Sequence, residues 1–270
     1  MDILQAIVLG IVQAITEWLP LSSKTMDALV YTVVFGGSPQ NVVSVLLFLH
    51  LGTMLAAAIY FRKELIALLH HFLKAPTSVR WQSHSKVGFL ATAIFMTGVI
   101  GVPLLLIEKF VLPMLDGSAL LCVMGAGLIV TGFLLTSQNR HRWRTVESVT
   151  WKDGLLTGAL QGLAALPGVS RAGSSTTGLI WRGFDAESAF HLSFLLSVPT
   201  VFLTEVVFWS AQGGVSAIPI ADGLLLAASS FVFGYLTIGV LIKLVQNLNV
   251  AWLAFVFGMF MLIFGLIGIG

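Results

Sequence analysis

The chain has 270 residues, of which 57% are hydrophobic and only 10% charged, with a mean hydropathy of +0.97. That leaves too little polar surface to cover a soluble globule, so the composition excludes soluble enzymes and indicates an all-α integral membrane protein. A formal net charge of +2 with no long basic tail excludes nucleic acid as a partner, and the single Cys122 excludes an intramolecular disulfide.

Met1-Asp2 opens the sequence without a basic leader region, so the first apolar segment is expected to be retained. Residues 3–18 make a helix of only about 24 Å before Pro20-Leu21-Ser22-Ser23-Lys24 interrupts it, and a short apolar piece follows at 26–36. The pair reads as helix, break, helix, a re-entrant hairpin over 3–36 that enters and leaves by one face. Runs at 42–61, 87–107 and 118–136 come next, each about 30 Å long as a helix and enough to cross a bilayer. Residues 154–166 again reach only about 20 Å before Pro167-Gly168-Val169-Ser170-Arg171, and 172–181 completes a second hairpin, 154–181. Runs at 190–210, 222–242 and 250–269 close the chain. The prediction is six transmembrane helices plus two re-entrant hairpins; the alternative is eight spans with two proline kinks.

Basic residues orient the chain. Arg62, Lys63, Lys74, Arg80 and Lys86 in one loop, and Arg140, Arg142, Arg144 and Lys152 in another, place 62–86 and 137–152 on the cytoplasmic side. The connector with Glu108, Lys109 and Asp116 is then external, as are both termini. Three spans per half is an odd number, so residues 138–270 repeat residues 1–137 in inverted topology within one membrane domain. The same offset of 147 that superposes Ser23 on Ser170 aligns Lys24 with Arg171 and the segment 48–53 with 195–200. Gly125 and Gly132 match Gly258 and Gly265 in spacing. Inverted repeats of broken helices carry their substrate sites at the repeat interface.

Lys24 and Arg171 are cations at membrane depth, where a charge normally faces a protein interior or a cavity and marks a functional site. With them stand Gln13, Ser22, Ser23 and Thr25 at the first break, and Gly168, Ser170, Gly173, Ser174 and Ser175 at the second. Two cations, many hydroxyls and helix N-termini form a receptor for phosphate or diphosphate, with Gly168 and Gly173 letting backbone amides approach it. Glu17 is out of place in a pure anion receptor. It suits a general base or metal ligand beside a hydroxyl nucleophile.

Three blocks, Gln13-Ala14-Ile15-Thr16-Glu17-Trp18-Leu19-Pro20-Leu21-Ser22-Ser23, Leu166-Pro167-Gly168-Val169-Ser170-Arg171-Ala172-Gly173-Ser174-Ser175 and Ser193-Phe194-Leu195-Leu196-Ser197-Val198-Pro199, resemble the bacitracin-resistance family of undecaprenyl-diphosphate phosphatases. The resemblance covers essentially the whole chain. It implies an inverted-repeat membrane fold that hydrolyses a C55 polyprenyl diphosphate to its monophosphate and recycles the lipid carrier of cell-envelope glycan synthesis. It also implies a divalent cation, magnesium or calcium, with Glu17 as its ligand. Carried over by position, Glu17 is the second acid of the glutamate-rich motif, Ser23 the nucleophilic serine, and Ser170 with Arg171 the phosphate-binding pair. The match is to a divergent branch. The family motif commonly continues Ser-Thr-Gly-His where this chain has Ser23-Lys24-Thr25-Met26, and the motif's first acid is Gln13.

On this reading Ser23 attacks phosphorus with Glu17 as base while Arg171 and Lys24 clamp the oxygens; in the alternative, Glu17 activates water and Ser23 only binds. Lys24 offsets charge that a metal would otherwise balance. His50, which the repeat offset sets opposite Ser197, is a candidate for the lost proton transfer, against a histidine merely satisfied in the core. Asp27 is weighed as a metal ligand against a cap or a partner for Lys24. Trp18, Trp81, Trp143, Trp151 and Trp181 are expected in the interfacial belt. The rival functions are a polyprenyl-phosphate carrier or flippase using the same cavity, and an inactive lipid-binding relative. Small residues such as Gly125, Ala126 and Gly132 allow close helix contact within the chain or in a homodimer.

Overall fold

The computed structural model describes residues 1–74, 85–111, 114–138, 143–211, 216–245 and 250–268. Among these the chain is helical, with a single isolated bridge between Arg144 and Phe184 in place of any sheet. In order the helices are α1 (Ile3–Trp18), α2 (Ser23–Leu29), α3 (Val42–Tyr60), α4 (Arg62–Lys74), α5 (Ser85–Val111), α6 (Gly117–Thr136), α7 (Trp151–Gly162), α8 (Arg171–Trp181), α9 (Ala186–Ala211), α10 (Ile220–Val245) and α11 (Val250–Leu266). Five segments are long and apolar enough to cross a membrane: Pro39–Tyr60, Lys86–Glu108, Gly117–Thr136, Ala186–Val207 and Ile220–Val245. The sixth expected span is the shorter α11, of 17 residues. The chain is a multi-pass membrane protein.

Both interruptions fall where the sequence placed them. α1 starts on a capping box between Asp2 and Gln5, and its ladder stops when Pro20 arrives without an N–H. α7 starts on a Thr150–Asp153 capping box, tightens into a 3-10 turn at Leu163–Ala165, and ends before Pro167. α8 then begins with the Ser170 hydroxyl accepting from the Gly173 amide at 3.1 Å. After α2 the backbone widens without interruption into a π-turn at Val30–Val34, so the second arm expected over 26–36 is a continuous helical segment over 23–34. The arms of each broken segment lie against each other, α1 on α2 and α7 on α8.

The two halves of the sequence interlock. α1 and α3 pack on α10, α7 packs on α5, and α6 packs on α11. Between helices in lipid, close van der Waals approach replaces hydrophobic burial as the driving force, and small residues permit it. Gly125 and Gly258 illustrate this: a Cβ on either would come within 3 Å of the other's carbonyl oxygen. Gly132 lies against Phe255, and Gly265 against Cys122. The four glycines aligned in the sequence are thus spent inside the chain on one helix pair, which answers the choice between contact within and between subunits for Gly125 and Gly132.

The segment expected as a cytoplasmic loop over 62–86 contains α4. Glu64 on this helix accepts from Lys86 at 2.7 Å and stands 2.9 Å from His191 Nε2, joining α4 to α5 and α9. At the start of α7 the fully buried Asp153 receives Arg144 and Arg182, each at 2.7 Å, and Arg144 also stacks over Phe184 at 4.2 Å. Arg144 is therefore a structural clasp for α7. Arg80, Arg140 and Arg142 lie outside the described residues, as does Trp81. Trp18 departs from the expected belt: it is 1% exposed and packs edge-on against Phe194 of α9, on the side of α1 that lies against α10. Trp143, Trp151 and Trp181 are exposed.

Candidate active site

The two breaks meet inside the protein. The Ser170 hydroxyl donates to the Leu21 carbonyl at 3.1 Å, Lys24 Nζ donates to the Ala164 carbonyl at 3.1 Å, and Arg171 Nη2 reaches Glu17 Oε1 at 2.7 Å. A cavity of about 260 Å³ opens where they touch, and Glu17, Ser22, Ser23, Lys24, Ser170 and Arg171 line it. More than half of the wall comes from long helices: α3 through His50, α5 through Thr97 and Gly98, α9 through Thr204 and Glu205.

Glu17 is the hub. It is 8% exposed, and besides Arg171 its other oxygen, Oε2, accepts from Ser23 Oγ at 2.7 Å and from Gln13 Nε2 at 3.4 Å. Gln13 is itself fixed by Thr53 at 3.1 Å. A carboxylate at this depth requires a partner and satisfied lone pairs. Arg171 and the two neutral donors supply both.

His50 stands on the far side of Ser23. Its Nδ1 donates to the Leu46 carbonyl at 2.8 Å, the i−4 acceptor on its own helix, so in the neutral ring Nε2 is the nitrogen that accepts. That nitrogen is 3.4 Å from Ser23 Oγ and 3.6 Å from Glu17 Oε2. The serine hydroxyl therefore has two acceptors within reach, one on α1 and one on α3. Arg171 retains Nη1 without a hydrogen-bond partner among the described residues, a buried donor on a side chain that lines the cavity.

Several expected ligand-binding residues sit elsewhere. Gly168, at φ +85°, is pressed against α6, where a Cβ would meet the Met124 carbonyl oxygen at 2.1 Å, so its glycine serves helix packing and not the approach of a ligand. Gly173 faces Ser170 and Thr131 in the same interface. Thr25 donates to Ser22, Ser175 bonds Ser193 and the Arg171 carbonyl, and Ser174 is fully buried, so all three lie behind the cavity wall. On α8, Ser174 and Ser175 lie one turn beyond Arg171, where Ser193 of α9 closes over the helix and takes up the Ser175 hydroxyl. Met26, where the resemblance leads one to expect a histidine, packs with Leu128 and Met261 and does not line the cavity. Asp27 is fully buried with neither oxygen hydrogen-bonded among the described residues, so it neither caps a helix nor pairs with Lys24.

Sequence reasoning missed Glu205 and Glu108. Glu205 is a lone acid inside an apolar run, a signal available from composition alone. Glu108 was assigned to an external connector, but α5 continues through Val111 and carries it into the cavity.

The donors do not fit a resident divalent cation. Glu17 is committed to Arg171 and Ser23, Gln13 turns its amide donor toward Glu17, and among the described residues no group of three or more His, Cys, Asp or Glu side chains is placed to hold a metal. What the arrangement offers instead is a hydroxyl with two acceptors in reach, in a cavity that two cations, Lys24 and Arg171, also line.

The chain is similar to known proteins along nearly its whole length. A family profile described as bacitracin resistance protein BacA matches residues 6–267. The chain is 37% identical over 257 residues to a protein of Methanococcoides burtonii, covering 92% of each, which bears the name undecaprenyl-diphosphatase. Proteins of the same name from Haloarcula marismortui and Methanothrix thermoacetophila are each 36% identical, covering 95% and 96% of this chain and 94% and 95% of theirs.

Proposed function

The chain belongs to the bacitracin resistance protein BacA family, and from that membership we propose how it acts as a membrane phosphatase that hydrolyses undecaprenyl diphosphate to the monophosphate lipid and phosphate. The observation that carries the mechanism is Ser23 Oγ at 2.7 Å from Glu17 Oε2. Ser23 Oγ forms a bond to the terminal phosphorus as the bridging P–O bond breaks, and the lipid monophosphate leaves. The serine proton passes to Glu17, with His50 as the second acceptor. Water then attacks the phosphoserine, the P–Oγ bond breaks, phosphate departs and the proton returns to Ser23. Arg171, through its free Nη1, and Lys24 hold the phosphoryl oxygens, and the α8 N-terminus adds a favourable dipole. A divalent cation would come with the diphosphate rather than be held by these side chains.

The architecture we infer is an inverted repeat of residues 1–137 and 138–270 in one membrane domain, with the two broken segments re-entrant and α11 as a sixth span. The reciprocal packing of α1 on α10 and α7 on α5 supports it. With the basic ends of α3 and α7 cytoplasmic, the cavity, built from the beginning of α3 and the later parts of α5 and α9, lies in the external half of the membrane. The substrate then arrives from the outer leaflet. The carrier reading is not favoured, since the relatives are named as diphosphatases.

The test is phosphate release from C55 diphosphate by purified protein in detergent, with and without chelator. Release that Ser23→Ala abolishes supports the covalent route; unchanged release from that variant rejects it. No release by the native protein with any divalent cation rejects the phosphatase reading.

A further inference from the structure

The cavity is large enough for a diphosphate head group but far too small for a fifty-five-carbon chain, so the tail must leave it sideways. The walls differ in how they close. α5 and α9 touch near their beginnings, where Phe89 and Ala93 join one core cluster with Leu192 and Leu196. Further along, residues of both helices line the cavity, with Gly98 and Val102 on α5 and Val201 and Leu203 on α9. Each helix contains a proline at this level, Pro103 and Pro199, which removes a backbone hydrogen bond and bends a helix. Val102, Leu203 and Val207 line the cavity yet are 42%, 45% and 46% exposed, so the space breaks through to the outer surface of the bundle. Only 11% of the apolar window of α5 is buried in the protein, so this wall faces lipid.

We propose that the isoprenoid tail leaves the site through the slot between α5 and α9, and that Gly98 is the threshold that admits it; this rests on the phosphatase reading above. Gly98 lines the cavity, and a Cβ built on it meets nothing within 4 Å. Gly101, one turn on, already faces the Gly162 backbone at 3.5 Å. Glycine is a poor helix former, so a larger residue at 98 fills open space without weakening α5. The apolar lining suits hydrocarbon, and the slot is continuous with the space that holds Ser23.

The experiment compares Gly98→Ala, Gly98→Leu and Gly98→Trp with the native protein in detergent. kcat/KM for C55 diphosphate is expected to fall in that order, by at least about tenfold for tryptophan, while the inhibition constant of inorganic diphosphate changes less than about twofold and Tm does not fall. In a second readout, Gly98→Cys is alkylated by an apolar maleimide, and C55 diphosphate slows that reaction whereas inorganic diphosphate does not. Unchanged C55 turnover in Gly98→Trp, equal loss of lipid turnover and diphosphate binding, or equal labelling with and without lipid overturns the proposal. If the native protein releases no phosphate at all, the phosphatase reading has failed instead, and lipid protection of Gly98→Cys still decides the slot.

Discussion

Arg171 Nη2 meets Glu17 Oε1 at 2.7 Å across 154 positions of sequence, so one ion pair ties the two broken segments together and orients the carboxylate that reaches Ser23. Removing one member leaves the other charged and enclosed. Glu17→Ala and Arg171→Ala are each expected to cost about 3–5 kcal/mol of stability, as seen when buried pairs are halved. The double variant Glu17→Gln/Arg171→Met recovers much of that loss but no turnover, because stability needs only neutrality while chemistry needs both groups. Thermal unfolding in detergent beside phosphate release checks this; additive stability losses would contradict it.

Arg171→Lys separates charge from geometry. The ammonium still offsets Glu17 but cannot present a second, differently aimed donor in place of Nη1. KM for lipid diphosphate is expected to rise and kcat to fall at least tenfold with little change in Tm. Near-native kinetics would show that Nη1 has no part in holding phosphate.

His50→Gln removes the second acceptor beside Ser23. General acid–base participation is worth about 10²–10⁴ in rate, so kcat should drop by at least about a hundredfold with KM nearly unchanged. A decrease below about threefold would make His50 a residue that is only satisfied by its own helix.

Met26→His introduces the residue that the family resemblance leads one to expect at this position. The side chain points among Leu128 and Met261, and a polar ring there lacks partners. Stability is expected to fall by about 1–3 kcal/mol with no gain in turnover, measured by unfolding and phosphate release. Increased turnover would show that the position communicates with Ser23.

Two carboxylates outside the spans give the fold an acid limit. Burial pushes Asp153 up, but hydrogen bonds from Arg144, Arg182 and Thr150 outweigh it and hold the carboxyl at about 2. For Glu64 the hydrogen bond to His191 leads, burial opposes it and Lys86 adds to it, again giving about 2. Both folded values lie below the unfolded range, so the stabilisation is complete above about pH 4.5 and is lost as pH falls toward 2. Asp153→Asn should lower Tm at neutral pH and flatten this acid limb. An unchanged slope of Tm against pH would refute the clasp.

Much of this was readable in the letters. Composition and run length separate the long apolar helices from the two short segments, and proline without an N–H marks where each of those must end. The membrane-depth cations Lys24 and Arg171, with Glu17 and Ser23, stand out because a bilayer tolerates such groups only inside protein. Residues whose role depends on their depth along a helix and on what closes over them did not stand out. Ser174 and Ser175 share the chemistry of Ser170 but lie one turn further along α8, buried outside the cavity lining, and Trp18 looks like a belt residue until α9 and α10 cover it.

By itself the sequence determined the solvent, the helical segments, the two breaks and the family, because each follows from local hydrophobicity, backbone hydrogen bonding or contiguous motifs. Only the tertiary structure decided that Glu17, Ser23, His50 and Arg171 converge, that Met26 points into apolar packing, and that Glu108 and Glu205 join the cavity. The reason is physical: a side chain's direction is set by the helix that carries it and by the helices that close around it, and those contacts join residues more than a hundred positions apart.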